Sequence, residues 1–158
     1  MQKYAADANI GLRILVGNHD VALAKSDAER AAAELMYLRT RSVLQKVNNG
    51  EIVLVFTDAV IEEMVFVMDR IYKVAREKIS SMILLLIEAD GVEASTTIRD
   101  TLRLFAKIKL DFVDIKLSVI SKELGIPILT WDKGFKQLDN CEYYAPSELS
   151  IQEDEGKN

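Results

Sequence analysis

The sequence predicts an α/β domain with a mainly parallel, twisted sheet flanked by helices. Short apolar, β-branched runs alternate along the chain with longer stretches in which apolar residues recur every three or four positions. The run EIVLVF at 51–56 is apolar almost throughout, as expected of a strand that helices cover on both faces. Because strands and helices alternate, a parallel sheet is the expected architecture.

The elements follow in order from their patterns and end signals. We expect strands at 2–6, 51–56, 92–95, 126–130 and 141–144. We expect helices at 10–16, 26–47, 58–72, 76–89, 97–108 and 112–124. Gly17 is expected to end the first helix, which places His19 in the turn after it. Gly125 is expected to end the last helix in a left-handed conformation.

Several helix starts carry capping residues. Ser26 and Glu29 form a capping box at the start of the longest helix, and Thr97 is expected to begin the fifth in the same way. Asp58 and Asp111 are assigned to capping the helices that begin beside them, with Thr57 as the alternative to Asp58. The apolar side of the longest helix is expected to contain Ala32, Leu35, Met36, Val43 and Val47.

Composition limits the class of protein. With 158 residues, 49% of them hydrophobic, the chain is expected to form one domain over 1–145, followed by an acid-rich, flexible tail over 146–158. The longest apolar run, 82–87, is too short to span a membrane, and no export signal is evident. The single cysteine, Cys141, fits a reducing compartment. These features predict a cytoplasmic protein without a membrane partner.

The scarcity of histidine and cysteine excludes several chemistries. A serine or cysteine relay would have to use His19, and zinc sites built from Cys and His are excluded by count. Neither GxxxxGK[ST] nor GxGxxG occurs, and Cys141 is expected to be a buried thiol. The net charge of −5 argues against a protein that coats nucleic acid, although not against an enzyme that binds cations.

Carboxylates remain as the candidate catalytic groups. Asp7 follows the first predicted strand, Glu63 lies one turn after the second, Asp114 opens a helix, and Asp132 follows the fourth strand. In parallel sheets, ligands bind at the carboxyl ends of the strands, so the four acids are expected along one edge. Oxygen ligands suit Mg²⁺ or Mn²⁺, which serve phosphodiester hydrolysis. Each acid alone also fits an ordinary turn or helix-start position, so the prediction depends on all four together.

Three segments resemble the PIN-domain ribonucleases, specifically the single-domain VapC-type toxins of toxin–antitoxin pairs. They are KYAADANI, VIEEMVFVMDRIY and LDFVDIKLSVISKELGIPILTWDKGF, in the order and spacing of that family. The resemblance covers 2–144 and implies a three-layer sandwich. It implies that Asp7, Glu63, Asp114 and Asp132 bind Mg²⁺ or Mn²⁺ and catalyse endonucleolytic RNA cleavage, with Asn9 and Thr130 supporting them. Glu63 is chosen over Glu62 because the MVFVM run follows it directly. A homodimer and an antitoxin partner are also implied.

Other readings stay open at this point. The chain could be a PIN-fold binding module without catalysis, or a PIN nuclease of RNA maturation. A haloacid-dehalogenase-like phosphatase is a weaker match, because that class requires Asp-x-Asp after the first strand and this chain has Asn9 at the second position. The match to a phospho-receiver domain is also weak, because that class requires an aspartate at the end of the central strand and the predicted strand 51–56 ends in Phe56. Trp131 is either a packed aromatic or a stacking platform for a base, and Lys133 is either a surface lysine or a phosphate contact.

Overall fold

The computed structural model describes residues 1–139 and 141–149, with the exception of the Asn18 side chain. All of its strand pairs are parallel. The larger sheet has three strands in the order β1-β2-β3, and two further strands, β4 and β5, form a second sheet. The strands are β1 (Gln2–Ala5), β2 (Ile52–Val55), β3 (Val92–Glu93), β4 (Ile128–Leu129) and β5 (Tyr143–Tyr144). The predicted α/β class with a parallel sheet is confirmed.

Helices connect the strands. They are α1 (Ala8–Leu23), α2 (Asp27–Asn48), α3 (Asp58–Phe66), α4 (Arg76–Ile87), α5 (Thr96–Phe105) and α6 (Phe112–Leu124). Helix α3 continues as a π-helical turn over Val67–Ile71, so the predicted extent to residue 72 is essentially correct. Short 3-10 helices occupy Lys133–Gln137 and Pro146–Glu148. The predicted tail, 146–158, therefore begins in a 3-10 turn, and its residues 150–158 lie outside the described part of the chain.

The register of the larger sheet aligns the ends of its strands. Ala5 is paired with Val55, and Val55 is paired with Glu93. The chain segments that follow the three strands therefore leave the sheet at the same edge. Strand β2 lies between the other two, and Val53 and Leu54 within it are buried. Helices α3 to α6 supply most of the remaining core, including Ile61, Met64, Ile79, Ile83, Ile98, Leu102, Phe105 and Ile115.

Helix ends confirm two local predictions and correct a third. The Ser26 hydroxyl accepts a hydrogen bond from the Glu29 backbone N–H at 3.2 Å, and Gly125 ends α6 with φ of 65°. The predicted cap of α5, Thr97, is wrong, because Ser95 occupies that position and accepts from the Ile98 N–H at 3.1 Å. Ser95, Thr96 and Thr97 are consecutive hydroxyl residues, so the sequence pattern fits more than one start for α5, and in the structure the helix begins soon after β3 ends at Glu93.

The predicted end of the first helix at Gly17 is only partly correct, because regular helical geometry is interrupted at the neighbouring Val16 but helical structure continues beyond it. Helix α1 runs on to Leu23 through a kink at Val16, where φ is −136°. Gly17 is buried against α2, and a Cβ atom there would lie 2.3 Å from Tyr37 Cδ2. The glycine thus permits a close helix contact and does not stop the helix. His19 consequently lies within α1, with its ring centroid 4.3 Å from that of Tyr72.

The predicted apolar side of α2 is only half correct. Val47 is buried and Val43 is half-buried, but Leu35 and Met36 are each 49% exposed. The first half of α2 therefore presents large apolar side chains to solvent.

Replacing Gly17 by alanine should destabilise the protein by about 1–3 kcal/mol, because the new methyl group overlaps Tyr37. This loss should outweigh the roughly 1 kcal/mol that alanine adds through helix propensity. Urea unfolding measures the difference. In a Tyr37→Ala background the ring is gone, so Gly17→Ala should no longer destabilise; an equal loss in both backgrounds would contradict the contact.

Candidate active site

The loop after β1 carries the first predicted acid. Asp7 occupies the N-cap position of α1 and is exposed; its backbone carbonyl accepts a hydrogen bond from the Ile10 N–H at 3.0 Å. Its carboxylate accepts a hydrogen bond from the Asn9 side-chain amide. Asn9 therefore orients Asp7, which faces solvent at the carboxyl end of the sheet.

The loop after β4 fixes the position of Asp132. The Asp132 backbone N–H donates to the Thr130 hydroxyl at 2.9 Å, and the Gly134 N–H donates to the Asp132 carboxylate at 2.7 Å. Such local bonds are typical of turns in which a short polar side chain substitutes for backbone. They leave Asp132 exposed, with its second carboxylate oxygen not used by this turn.

Asp114 and Asp132 interact electrostatically. Asp114 lies in the first turn of α6 and is half-buried. Burial raises the pKa of the Asp114 carboxyl, and the negative charges of Asp132 and Asp111 raise it further. Two predicted site acids that are far apart in the sequence therefore lie close enough for their charges to interact.

A pocket of about 290 Å³ lies between α3 and the start of α6, and Glu62 and Asp114 both line it. Glu62 is half-buried, whereas Glu63 is exposed and is not one of the residues that line this pocket. The structure thus brings Glu62 to the pocket that Asp114 lines. The assignment of Glu63 as a ligand stays a prediction.

Sequence reasoning missed Lys116, a cation that pairs with Glu62 and Asp58. Its ammonium lies 2.6 Å from the Glu62 carboxylate and 3.1 Å from that of Asp58. Burial works to lower the pKa of Lys116, but hydrogen bonds and charges from Glu62 and Asp58 outweigh it and raise the pKa. Asp58 also accepts a hydrogen bond from the Ser95 hydroxyl at 2.8 Å. Its assignment as a helix cap is wrong, because Thr57, the alternative, occupies the N-cap position of α3 and Asp58 is the first helical residue. Nothing in the sequence around Lys116 distinguishes it from a surface lysine.

Two arginines contact residues at the start of α6. Arg76 donates to the backbone carbonyl of Leu110 at 2.6 Å and lies over the Phe105 ring at 4.6 Å. Arg70 lies 3.0 Å from the Asp111 carboxylate. Asp111 occupies the predicted N-cap position of α6, which begins at Phe112, but its side chain makes no capping bond. Both arginines line the same pocket as Asp114 and place positive charge beside it.

The donors suit a hard cation, but the set is incomplete in this geometry. Asp114 and Asp132 supply paired carboxylates whose mutual repulsion a cation would relieve. Across residues 1–139 and 141–149, no three His, Cys, Asp or Glu side chains converge tightly enough to hold a metal ion. Among the described residues, neither Asp7 nor Glu63 lines the pocket beside Asp114, and neither contributes to the raised pKa of Asp114.

Burial limits the reactivity of the single cysteine, Cys141. Cys141 is half-buried, and burial raises the pKa of its thiol, which makes it a poor nucleophile.

Within the part of the chain that the structure describes, no helix combines the length and apolarity that crossing a membrane requires.

The sequence was compared with protein-family models and with curated proteins, and neither comparison gave a match.

Replacing Lys116 by methionine should destabilise the protein by about 1–3 kcal/mol. The substitution keeps the apolar stem but leaves Asp58 and Glu62 half-buried without their shared counter-charge. Lys122→Met on the same helix is the control, because Lys122 is exposed. Thermal unfolding of both variants tests this, and equal stabilities would contradict a role for the Lys116 pairs.

In the metal-free protein, Asp132→Asn should lower the pKa of Asp114, because it removes a neighbouring negative charge. NMR titration of the Asp114 carboxyl measures the change, and Asp90→Asn, an exposed acid in another turn, is the control. An unchanged Asp114 pKa would show that the two acids do not interact. Because the pKa of Asp114 is raised in the native state, the folded protein binds the Asp114 proton more tightly than the unfolded chain does. The contribution of Asp114 to the free energy of unfolding therefore falls as the pH rises from 3.8 through the raised pKa.

Proposed function

We propose that the protein is a metal-dependent endoribonuclease with a PIN-like three-layer fold. The observation that carries the proposal is the position of Asp114 in the first turn of α6 and of Asp132 in the turn after β4, where the charge of Asp132 contributes to the raised pKa of Asp114. These acids fall in two of the positions that the sequence resemblance assigns to metal ligands. The parallel sheet with helices between its strands is compatible with that fold.

Asp114 and Asp132 would hold Mg²⁺ or Mn²⁺, with Asp7 and Glu63 as the further predicted ligands. The cation, when bound, supplies an activated water and neutralises charge on the phosphate under attack. Asn9 and Thr130 support this role through the hydrogen bonds that orient Asp7 and the Asp132 turn.

Residues beside the acids fit a nucleic-acid substrate. Trp131 is 71% exposed, which disfavours the packed-aromatic reading and leaves its ring free to stack on a base next to Asp132. Lys133 is exposed on the other side of Asp132, and Arg70 and Arg76 line the pocket beside Asp114. An exposed aromatic ring and cations around an acidic centre are the groups that single-stranded RNA requires.

The biological setting is proposed on the resemblance. A VapC-type nuclease would act in the cytoplasm, form a homodimer and be silenced by an antitoxin that covers the acidic groove. A PIN nuclease of RNA maturation would use the same residues without an antitoxin. The occurrence of an adjacent gene for a small DNA-binding protein separates these settings.

One observation favours a second candidate, a PIN-fold binding module without catalysis. As described above, no three potential ligands converge in residues 1–139 and 141–149. The Lys116 ammonium, moreover, already neutralises two acids beside Asp114. Such a module would bind RNA equally well with and without a divalent cation.

Purified protein should cleave a structured RNA mixture in Mn²⁺ or Mg²⁺, and EDTA should abolish the cleavage. Asp114→Asn, Asp132→Asn and Asp7→Asn should each lower the rate by about 100-fold or more while leaving the thermal unfolding cooperative. Asp90→Asn is the matched control and should cleave as the wild type does.

Undiminished cleavage in the Asp114 and Asp132 variants would overturn the site assignment. RNA binding that is insensitive to EDTA, together with no cleavage and no Mn²⁺ binding, would support the binding module instead.

A further inference from the structure

A second pocket lies apart from the candidate active site. It has a volume of about 780 Å³, whereas the pocket beside Asp114 has about 290 Å³. Its walls are α5 with the turn after it, α6, and residues 137–139 and 141; none of the described residues that line it also lines the pocket beside Asp114. We call it the α5–α6 pocket. Its volume lies within the roughly 300–1,000 Å³ that is usual for sites that bind small molecules.

The interior of the α5–α6 pocket is aliphatic. Leu104, Ile108, Val119 and Leu138 line it; Val119 and Leu138 are buried, and the other two are half-buried. None of the described lining residues is aromatic, so the pocket offers no ring on which a nucleic-acid base could stack. Transfer of a saturated chain from water into such surroundings is favourable. The interior therefore suits an aliphatic group.

Charged side chains form the rim of the pocket, and several of them already have partners. Arg103 lies 2.9 Å from the Asp100 carboxylate and 3.1 Å from that of Glu88. Glu123 accepts a hydrogen bond from the Thr97 hydroxyl at 3.0 Å. Arg103, Asp100 and Glu123 are therefore held by contacts within the protein.

Two lysines of the rim are available to a ligand. Lys107 follows α5 and Lys122 lies on α6, so their exposed side chains come from two different walls of the pocket. Neither lysine forms an ion pair with any residue in the part of the chain that the structure describes. Asp139, on the third wall, is the remaining charged residue of the lining. Two cations and one anion are thus available, which favours a ligand with a negatively charged group.

We propose that the α5–α6 pocket binds an aliphatic anion of medium chain length, such as a fatty acid. The chain lies against Leu104, Val119 and Leu138, and the carboxylate lies between the ammonium groups of Lys107 and Lys122. This arrangement buries the apolar part of the ligand and leaves its charged group at the exposed rim, where it keeps contact with water. Because this pocket is separate from the pocket beside Asp114, binding does not depend on the proposed nuclease activity.

The single cysteine of the chain reports on occupancy, because Cys141 lines the α5–α6 pocket and is half-buried. Decanoate, kept below the concentration at which it forms micelles, should slow the alkylation of Cys141 by iodoacetamide severalfold, since the bound chain restricts access to the thiol. The effect should saturate with decanoate concentration, and circular dichroism verifies that the protein keeps its helices. An alkylation rate that decanoate leaves unchanged or increases would overturn the proposal.

Calorimetric titration of the full chain compares ligands of different length and charge. From hexanoate to octanoate to decanoate, each added methylene should tighten binding about fourfold for as long as it is buried. Octanol, which carries no negative charge, should bind more weakly than octanoate. Equal affinities for hexanoate and decanoate would exclude the aliphatic interior as the binding surface, and equal affinities for octanol and octanoate would exclude the lysines; either result contradicts the proposal.

Lysine variants test the position of the anion. Lys107→Gln and Lys122→Gln should each weaken decanoate binding about two- to fivefold, as expected for charge pairs at an exposed rim. Lys46→Gln is the matched control, because Lys46 is an exposed lysine on α2 that does not line the pocket. If the two rim variants bind decanoate as tightly as the wild type and Lys46→Gln do, the anion lies elsewhere and the proposed site is wrong.

Discussion

Lys116 holds helices α3 and α6 together at the acidic end of the molecule, because its ammonium contacts Glu62 and Asp58 at once. Asp58 in turn accepts from Ser95, which caps α5. One half-buried cation therefore joins three helices at the edge where the strands of the larger sheet end. Without it, half-buried carboxylates would face one another, and repulsion would oppose the contact that forms the pocket wall.

The sequence predicted the elements whose signals are local. Strand β2, the Ser26 cap and the Gly125 stop depend on residues within a few positions of one another, and each was located correctly. The continuation of α1 beyond Gly17 was missed, because this glycine allows a close contact with Tyr37, which lies on another helix. Local patterns do not record which helices will meet.

In the candidate active site, too, local features could be predicted from the sequence, whereas features that depend on tertiary contacts could not. The Asp132 turn could be foreseen from the WDKG sequence. The expectation of one sheet edge for all four acids did not foresee that β4, which precedes Asp132, pairs with β5 in a second sheet. The choice between Glu62 and Glu63 depends on the rotation of α3 against α6, which the position of Lys116 influences. Neighbouring glutamates on one helix point about 100° apart, so a family pattern and a tertiary contact can select different members of the pair.

The parallel pairing of β1 with β2 has a consequence for biosynthesis. Gln2 pairs with Ile52, so β1 can pair with β2 only after about 50 further residues have been synthesised. Helices α1 and α2 lie wholly within that interval and contact each other directly. During translation, the residues of α1 and α2 are therefore synthesised before the segment that carries Asp7 can take its place in the sheet.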